Sequence, residues 1–166
     1  MHIVIVSAKS ENNVIGREGG LPWSLPADEA FLDRQIETGW LLTGRKSFEG
    51  PQGKTLFTGR SDVVVITRQK DYDAGEAQVA HSLKEGIELA RRRSAERLVI
   101  LGGASIYRES MDLADELIIT EVHETFEGDA FFPEIDPKKW KVVRREDHQK
   151  DVENPYDFSF VFYERR

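Results

Sequence analysis

The segment Leu21-Pro22-Trp23-Ser24-Leu25-Pro26-Ala27-Asp28 is the most unusual stretch of the chain. A helix can begin near Pro26, because proline is tolerated in a first helical turn. Asp28, Phe31, Leu32 and Gln35 then stand at i, i+3, i+4 and i+7, on one face. Glu29, Asp33 and Glu37 lie on another. One carboxyl thus shares a face with a phenylalanine and a leucine, and burial there raises its pKa. Such an acid can hydrogen-bond a cationic or amidine-like group of a ligand. The same residue would also serve as a second capping group in the first turn, favoured by the helix dipole. The pattern leaves both readings open.

Three further places put reactive groups at the ends of apolar runs. Trp40–Thr43 leads into Gly44-Arg45-Lys46-Ser47, Val63–Thr67 into Arg68, and Leu98–Leu101 into Gly102-Gly103. If the first two runs are neighbouring strands, Arg45, Lys46, Thr67 and Arg68 form a cationic pocket. That pocket suits a phosphomonoester such as the 2′-phosphate of NADPH. The paired glycines let a backbone approach a phosphate closely, and a helix from about Ser105 offers free N–H groups. Each feature alone reads equally well as turn chemistry or solvated charge. Gly16, Gly19 and Gly20 allow a mobile lid or a plain loop. Trp23 and Tyr107 would also suit core packing, and Gly59-Arg60 a surface turn.

These groups need a scaffold. The chain has 166 residues, which suits one domain spanning 1–166. Ile3–Ala8, Trp40–Thr43, Val63–Thr67, Leu98–Leu101 and Glu116–Val122 read as strands. Helices are expected from Pro26 to about Thr38, from the Ser82 capping box to about Arg93, and from Ser105 to Leu113. Trp140–Arg144 and the alternating Phe158, Phe160 and Phe162 suggest a closing antiparallel pair. The order implies an α/β sheet, mostly parallel, with an antiparallel edge. The net charge of −7 argues against nucleic-acid or membrane-surface partners. There is no cysteine, and the four histidines lack zinc-ligand spacing, so no metal site is expected. The N-terminus carries no signal-peptide pattern.

At these residues the chain resembles dihydrofolate reductase over nearly its full length. The resemblance rests on Val14-Ile15-Gly16, Leu21-Pro22-Trp23, Leu25-Pro26-Ala27-Asp28, Gly44-Arg45-Lys46-Ser47-Phe48-Glu49, Gly59-Arg60, Gly102-Gly103-Ala104-Ser105-Ile106-Tyr107, Glu127-Gly128-Asp129 and Phe132-Pro133. It implies one domain with an eight-stranded, mostly parallel sheet, an antiparallel C-terminal edge and about four helices. It also implies NADPH-dependent reduction of 7,8-dihydrofolate to 5,6,7,8-tetrahydrofolate, by hydride transfer to pterin C6 with protonation at N5. A cytoplasmic monomer is expected.

Carried over residue by residue, the resemblance gives Asp28 the pterin 2-amino group and N3, and support of N5 protonation with a water near Trp23. Thr120 joins that network. Leu21 lies in a lid over the nicotinamide, with Tyr107 near the same ring and Asp129 in a loop touching the lid. Val6, Ser7, Ala8, Phe31, Leu32 and Leu101 line the substrate pocket, and Arg60 holds the substrate's glutamate carboxylate. Ala8, Ile15, Gly16, Gly44, Ser47 and Ile106 border the cofactor. Gly102, Gly103, Ala104 and Ser105 take the pyrophosphate, and Arg45, Lys46, Thr67 and Arg68 the remaining phosphates.

Three departures stand out. Leu32 replaces a common phenylalanine, Gly50-Pro51-Gln52-Gly53 alters the path to Gly59-Arg60, and Ser105 stands where some members carry arginine. Two alternatives compete: the same-fold pyrimidine reductase of riboflavin synthesis, and a nucleotide-binding protein without catalysis. Leu21-Pro22-Trp23 together with Asp28 argues against both.

Overall fold

A computed structural model describes all of residues 1–166. Its elements in chain order are β1 (His2–Ser10), β2 (Val14–Gly16), α1 (Pro26–Gln35), β3 (Trp40–Gly44), α2 (Arg45–Glu49), α3 (Pro51–Leu56), β4 (Val63–Ile66) and β5 (Gln78–Ala80). There follow α4 (Leu83–Arg92), β6 (Arg97–Ile100), α5 (Ala104–Ser110), β7 (Glu116–Val122), β8 (Ala130–Phe131), β9 (Trp140–His148) and β10 (Phe158–Arg165).

Eight strands form one sheet in the order β5-β4-β3-β6-β1-β7-β10-β9, and β2 pairs with β8 in a small separate sheet. All pairs from β5 to β7 are parallel, while β10 runs antiparallel to both β7 and β9. The expected sheet and its antiparallel edge are therefore present. Five helices flank it rather than about four. The extra element arises because Gly50-Pro51 splits the chain after Gly44 into two short helices. Gly53 permits their tight junction, since a β-carbon there would collide with the carbonyls of Ser47 and Phe48.

The long apolar runs follow from burial on both faces. In β1, Ile3 and Ile5 join one core cluster while Val4 and Val6 join the other. The first cluster holds α4 and α5 against the sheet; the second holds α1, through Phe31, Leu25 and Trp23. Phe31 stacks on Phe160 of β10, with ring centres 3.9 Å apart and planes 7° from parallel. Ser82 caps α4 as its spacing predicts, accepting the Glu85 amide at 3.1 Å. The helices otherwise stop earlier than expected. α1 ends at Gln35, where the Ile36 amide makes a last bond to the Leu32 carbonyl, and α5 ends at Ser110. No helix is long and apolar enough to cross a membrane.

Candidate active site

The chain runs from β1 to β3, outward to β4 and β5, then back to β6 between β3 and β1. The crevice at such a reversal, beyond the strands' carboxyl ends, is where open α/β sheets bind ligands. A cleft of about 1000 Å³ lies here.

One end of the cleft is apolar with a single acid. Val6, Ser7 and Ala8 from β1, Phe31 and Leu32 from α1, Leu101 after β6 and Thr120 from β7 line it with Asp28. α3 and its end add Leu56 and Phe57, an apolar wall that sequence reading missed because the Gly50–Gly53 stretch read only as a departure. The Thr120 hydroxyl donates to Asp28 Oδ1 at 2.6 Å. That bond speaks against the capping reading of Asp28: its carboxyl faces the cleft and Thr120, and α1 has no side-chain cap bond. Poor hydration pushes the Asp28 pKa up to about 6; the Thr120 bond pulls it back, and Glu29 adds to the rise. Gln35, expected on the same face, turns away, where its side chain and carbonyl meet Arg97.

The other end is built from strand ends. Gly44 of β3 pairs in register with Ile66 of β4, which brings Arg45, Lys46, Thr67 and Arg68 together at one end of the cleft as their spacing predicts. Arg45 is bridged to Glu49 at 2.8 Å. His81 also lines this end, with Nδ1 2.9 Å from the Thr67 carbonyl. Its sequence position, one residue before a helix cap, gave no inward signal. Between the two ends lie Gly44, Ser47, Gly102, Gly103, Ala104, Ser105, Ile106 and Tyr107. The Gly102–Gly103 peptide is cis, and Gly102 has a φ of +99°, a left-handed value glycine takes without strain. A β-carbon on Gly102 would press on the Tyr107 ring at 3.2 Å, and one on Gly103 would sit 3.1 Å from Ser47 Oγ. Tyr107 is buried, and its hydroxyl donates to the Val6 carbonyl at 2.7 Å. Burial raises its pKa well above the ordinary tyrosine range.

Ile15, Gly16, Gly19, Gly20 and Leu21 cover the cleft from the β2 side. Arg17 and Gly20 exchange backbone hydrogen bonds in a tight turn, and the Glu18 amide donates to Asp129 Oδ2 at 3.0 Å. The loop carrying Asp129 therefore touches the glycine-bearing Gly16–Leu21 loop.

Two expected site residues lie outside the lining. Trp23 is buried behind it, tilted against Phe126 at 5.2 Å, and its Nε1 is a buried donor without a partner. Arg60 is turned aside: its guanidinium donates to both oxygens of Asp62, at 2.9 and 3.0 Å, and weakly to the Ile36 carbonyl. The short Arg60-to-Asp62 spacing explains this, since a local carboxylate captures the fork, and the Arg60 hydrogen bonds hold the Asp62 pKa down.

The fold and the cleft define an open α/β protein with a ligand site at its sheet reversal, one end acidic and apolar, the other cationic. The family model described as dihydrofolate reductase matches residues 2–165. The chain is 35% identical to the dihydrofolate reductase of Bacillus subtilis (strain 168) over 164 residues, covering 99% of this chain and 95% of that protein. It is 40% identical to that of Neisseria gonorrhoeae, covering 98% of each. A solved structure of dihydrofolate reductase from Enterococcus faecalis, complexed with NADP(H) and RAB-propyl, superposes with a TM-score of 0.89 at 37% identity, covering 99% of this chain and 96% of that one. The chain belongs to the dihydrofolate reductase family.

Proposed function

We infer that the protein reduces 7,8-dihydrofolate to 5,6,7,8-tetrahydrofolate with NADPH, and that it works as a monomer in the cytoplasm. The carrying observation is the pairing of one raised-pKa carboxyl, Asp28 on Thr120, with a phosphate-type cradle at the other end of the same cleft.

The residues fit the cofactor. The floor at Gly102 and Gly103 is bare backbone that a β-carbon would fill. Gly102, Gly103, Ala104 and Ser105 would take the pyrophosphate, with Gly44, Ser47 and Ile106 beside it. Arg45, Lys46, Thr67, Arg68 and His81 would hold the adenosine phosphate, where charge-assisted bonds favour NADPH over NADH. Ala8, Ile15, Gly16 and Tyr107 would border the nicotinamide. Bound there, the cofactor supplies the hydride.

The chain's own residues then have three tasks. Val6, Phe31, Leu32 and Leu101 orient the substrate ring, and Leu21 with the lid excludes water. Asp28 would bind the 2-amino group and N3 of the pterin and so fix the ring's orientation in the cleft. The C6=N5 double bond becomes single as hydride reaches C6 and a proton reaches N5. Asp28 supports that protonation with Thr120 and with a water on the free Trp23 Nε1–H. Arg60 would accept the substrate's glutamate only by exchanging Asp62 for it, like for like.

The test is loss of NADPH absorbance on adding dihydrofolate, run beside NADH. Turnover with NADPH and much slower turnover with NADH is expected. NADPH binding without consumption would refute the reading.

A further inference from the structure

The helix that carries Asp28 is capped from the far end of the chain. Leu25 occupies the N-cap position but supplies no side-chain acceptor, and Pro26 has no N–H. The amides of Asp28 and Glu29 both turn back to the Leu25 carbonyl, at 3.0 and 3.1 Å. The Ala27 amide instead donates to Asn154 Oδ1 at 3.0 Å, across 127 residues. Asn154 is only 6% exposed. Its Nδ2 donates to both oxygens of Asp151, at 3.1 and 3.3 Å, and Asp151 Oδ1 also accepts the backbone amides of Glu153 and Asn154. The loop 149–157 between β9 and β10 is thus braced from within and offers one fixed acceptor to α1. The same loop sets Tyr156 edge-on to Phe126 at 5.3 Å, and Phe126 packs on Trp23. It grips the Leu21–Asp28 segment at two points.

We propose that Asn154 is a positioning residue for the reaction: by capping α1 it fixes the first turn, so that the Asp28 carboxyl stays on Thr120 Oγ1 as ligands enter and leave. The proposal rests on the role given to Asp28 above. Side-chain oxygens that accept a first-turn amide stabilise helix starts, and here the acceptor comes from a separate element. The titratable groups that interact with the Asp28 carboxyl are Glu29 on its own helix and Tyr107 from α5; Asp151 is not among them.

The experiment compares Asn154→Ala, Asp151→Ala and the double variant with the parent and with Asp28→Asn. Asn154→Ala should lower kcat/KM for dihydrofolate about fivefold, in line with loss of a cap. The pH midpoint of kcat/KM should fall: a loosened turn lets water reach Asp28, and relief of the burial that raises its pKa outweighs the weaker, opposite effect of losing the Thr120 bond. NADPH affinity should stay within about twofold, since coupling fades between separate sites. Asp151→Ala should act in the same direction but less, and the double variant should be no worse than Asn154→Ala alone. A parental kcat/KM and pH midpoint in Asn154→Ala would overturn the proposal, as would simple additivity. If Asn154→Ala does not fold, an unmoved midpoint in Asp151→Ala overturns it. Near-normal turnover in Asp28→Asn would instead sink the role of Asp28 itself.

Discussion

The two ends of the cleft are built by opposite means. At the phosphate end, every group sits within a few residues of a strand terminus: Arg45 and Lys46 follow β3, Thr67 and Arg68 follow β4, Gly102 and Gly103 follow β6. Parallel pairing of those strands is enough to collect them. At the acid end, Asp28 is placed by contacts from distant sequence: Thr120 is 92 residues away and Asn154, through Ala27, is 127. The first end is a product of local pattern, the second of tertiary packing. Changes at the acid end should therefore alter chemistry and pH response, and changes at the phosphate end should alter cofactor binding alone.

The largest separation should come from Asp28→Asn. The amide keeps an acceptor for Thr120 but cannot titrate. Turnover at pH 7 should fall by about 100-fold or more, the scale of general acid–base assistance. NADPH affinity should hardly move. Stability should change the other way. The folded pKa of Asp28, about 6, stands above its unfolded value of 3.8. The ionised carboxyl therefore opposes folding, and the cost builds as pH rises from about 4 to about 6. The full shift corresponds to about 3 kcal/mol. The ligand-free variant should melt higher than the parent at pH 8 and level with it near pH 4. A variant that melts lower at pH 8 would break the account of burial.

At the phosphate end, Gly103→Ala tests the bare floor. Gly103 has a φ of −83°, outside the left-handed region, and an added methyl would sit 3.1 Å from Ser47 Oγ. NADPH should bind at least about tenfold more weakly, about 1.4 kcal/mol. The pH midpoint of turnover should stay put; a shift there would erase the distinction between the ends. Arg68→Ala should cost NADPH about tenfold in affinity and NADH almost nothing, as loss of one charge-assisted bond predicts. Equal losses for both cofactors would take Arg68 away from the adenosine phosphate.

The same contrast explains what the sequence disclosed. The sheet, its antiparallel edge and the phosphate-end cations were legible because strand runs, β-branched residues and glycine pairs are local signals. The face shared by Asp28, Phe31 and Leu32 was legible from helical spacing, but whether its acid capped the helix or faced a ligand was not. That depended on Thr120 arriving beside it through the pairing of β1 with β7. Arg60 shows the same limit: its motif pointed to a ligand, and only the folded chain shows a carboxylate two residues on holding the guanidinium. His81 and the wall from Leu56 and Phe57 carried no motif, and only the turn of the chain brings them in. β2, β5 and β8, at two or three residues each, are too short for any periodicity to register.

The smallest effect, and the sharpest, should come from Thr120→Val. The residue is 2% exposed and valine matches its shape, so packing survives while one donor is lost. The bond it removes favours the ionised form of Asp28 and so lowers the pKa. Without it the carboxyl should titrate above about 6, and the pH at which kcat/KM begins to fall should move up by a fraction of a unit. The variant should therefore be less impaired relative to the parent at pH 8 than its loss at pH 6 would suggest. Its stability should show the inverse pattern: near parental at pH 4, where the acid is neutral, and lower by about 1–2 kcal/mol at pH 8, where an ionised carboxyl has lost its donor. A midpoint that stays fixed or moves down would mean that the hydroxyl does not govern the acid, and that Asp28 is set by burial alone.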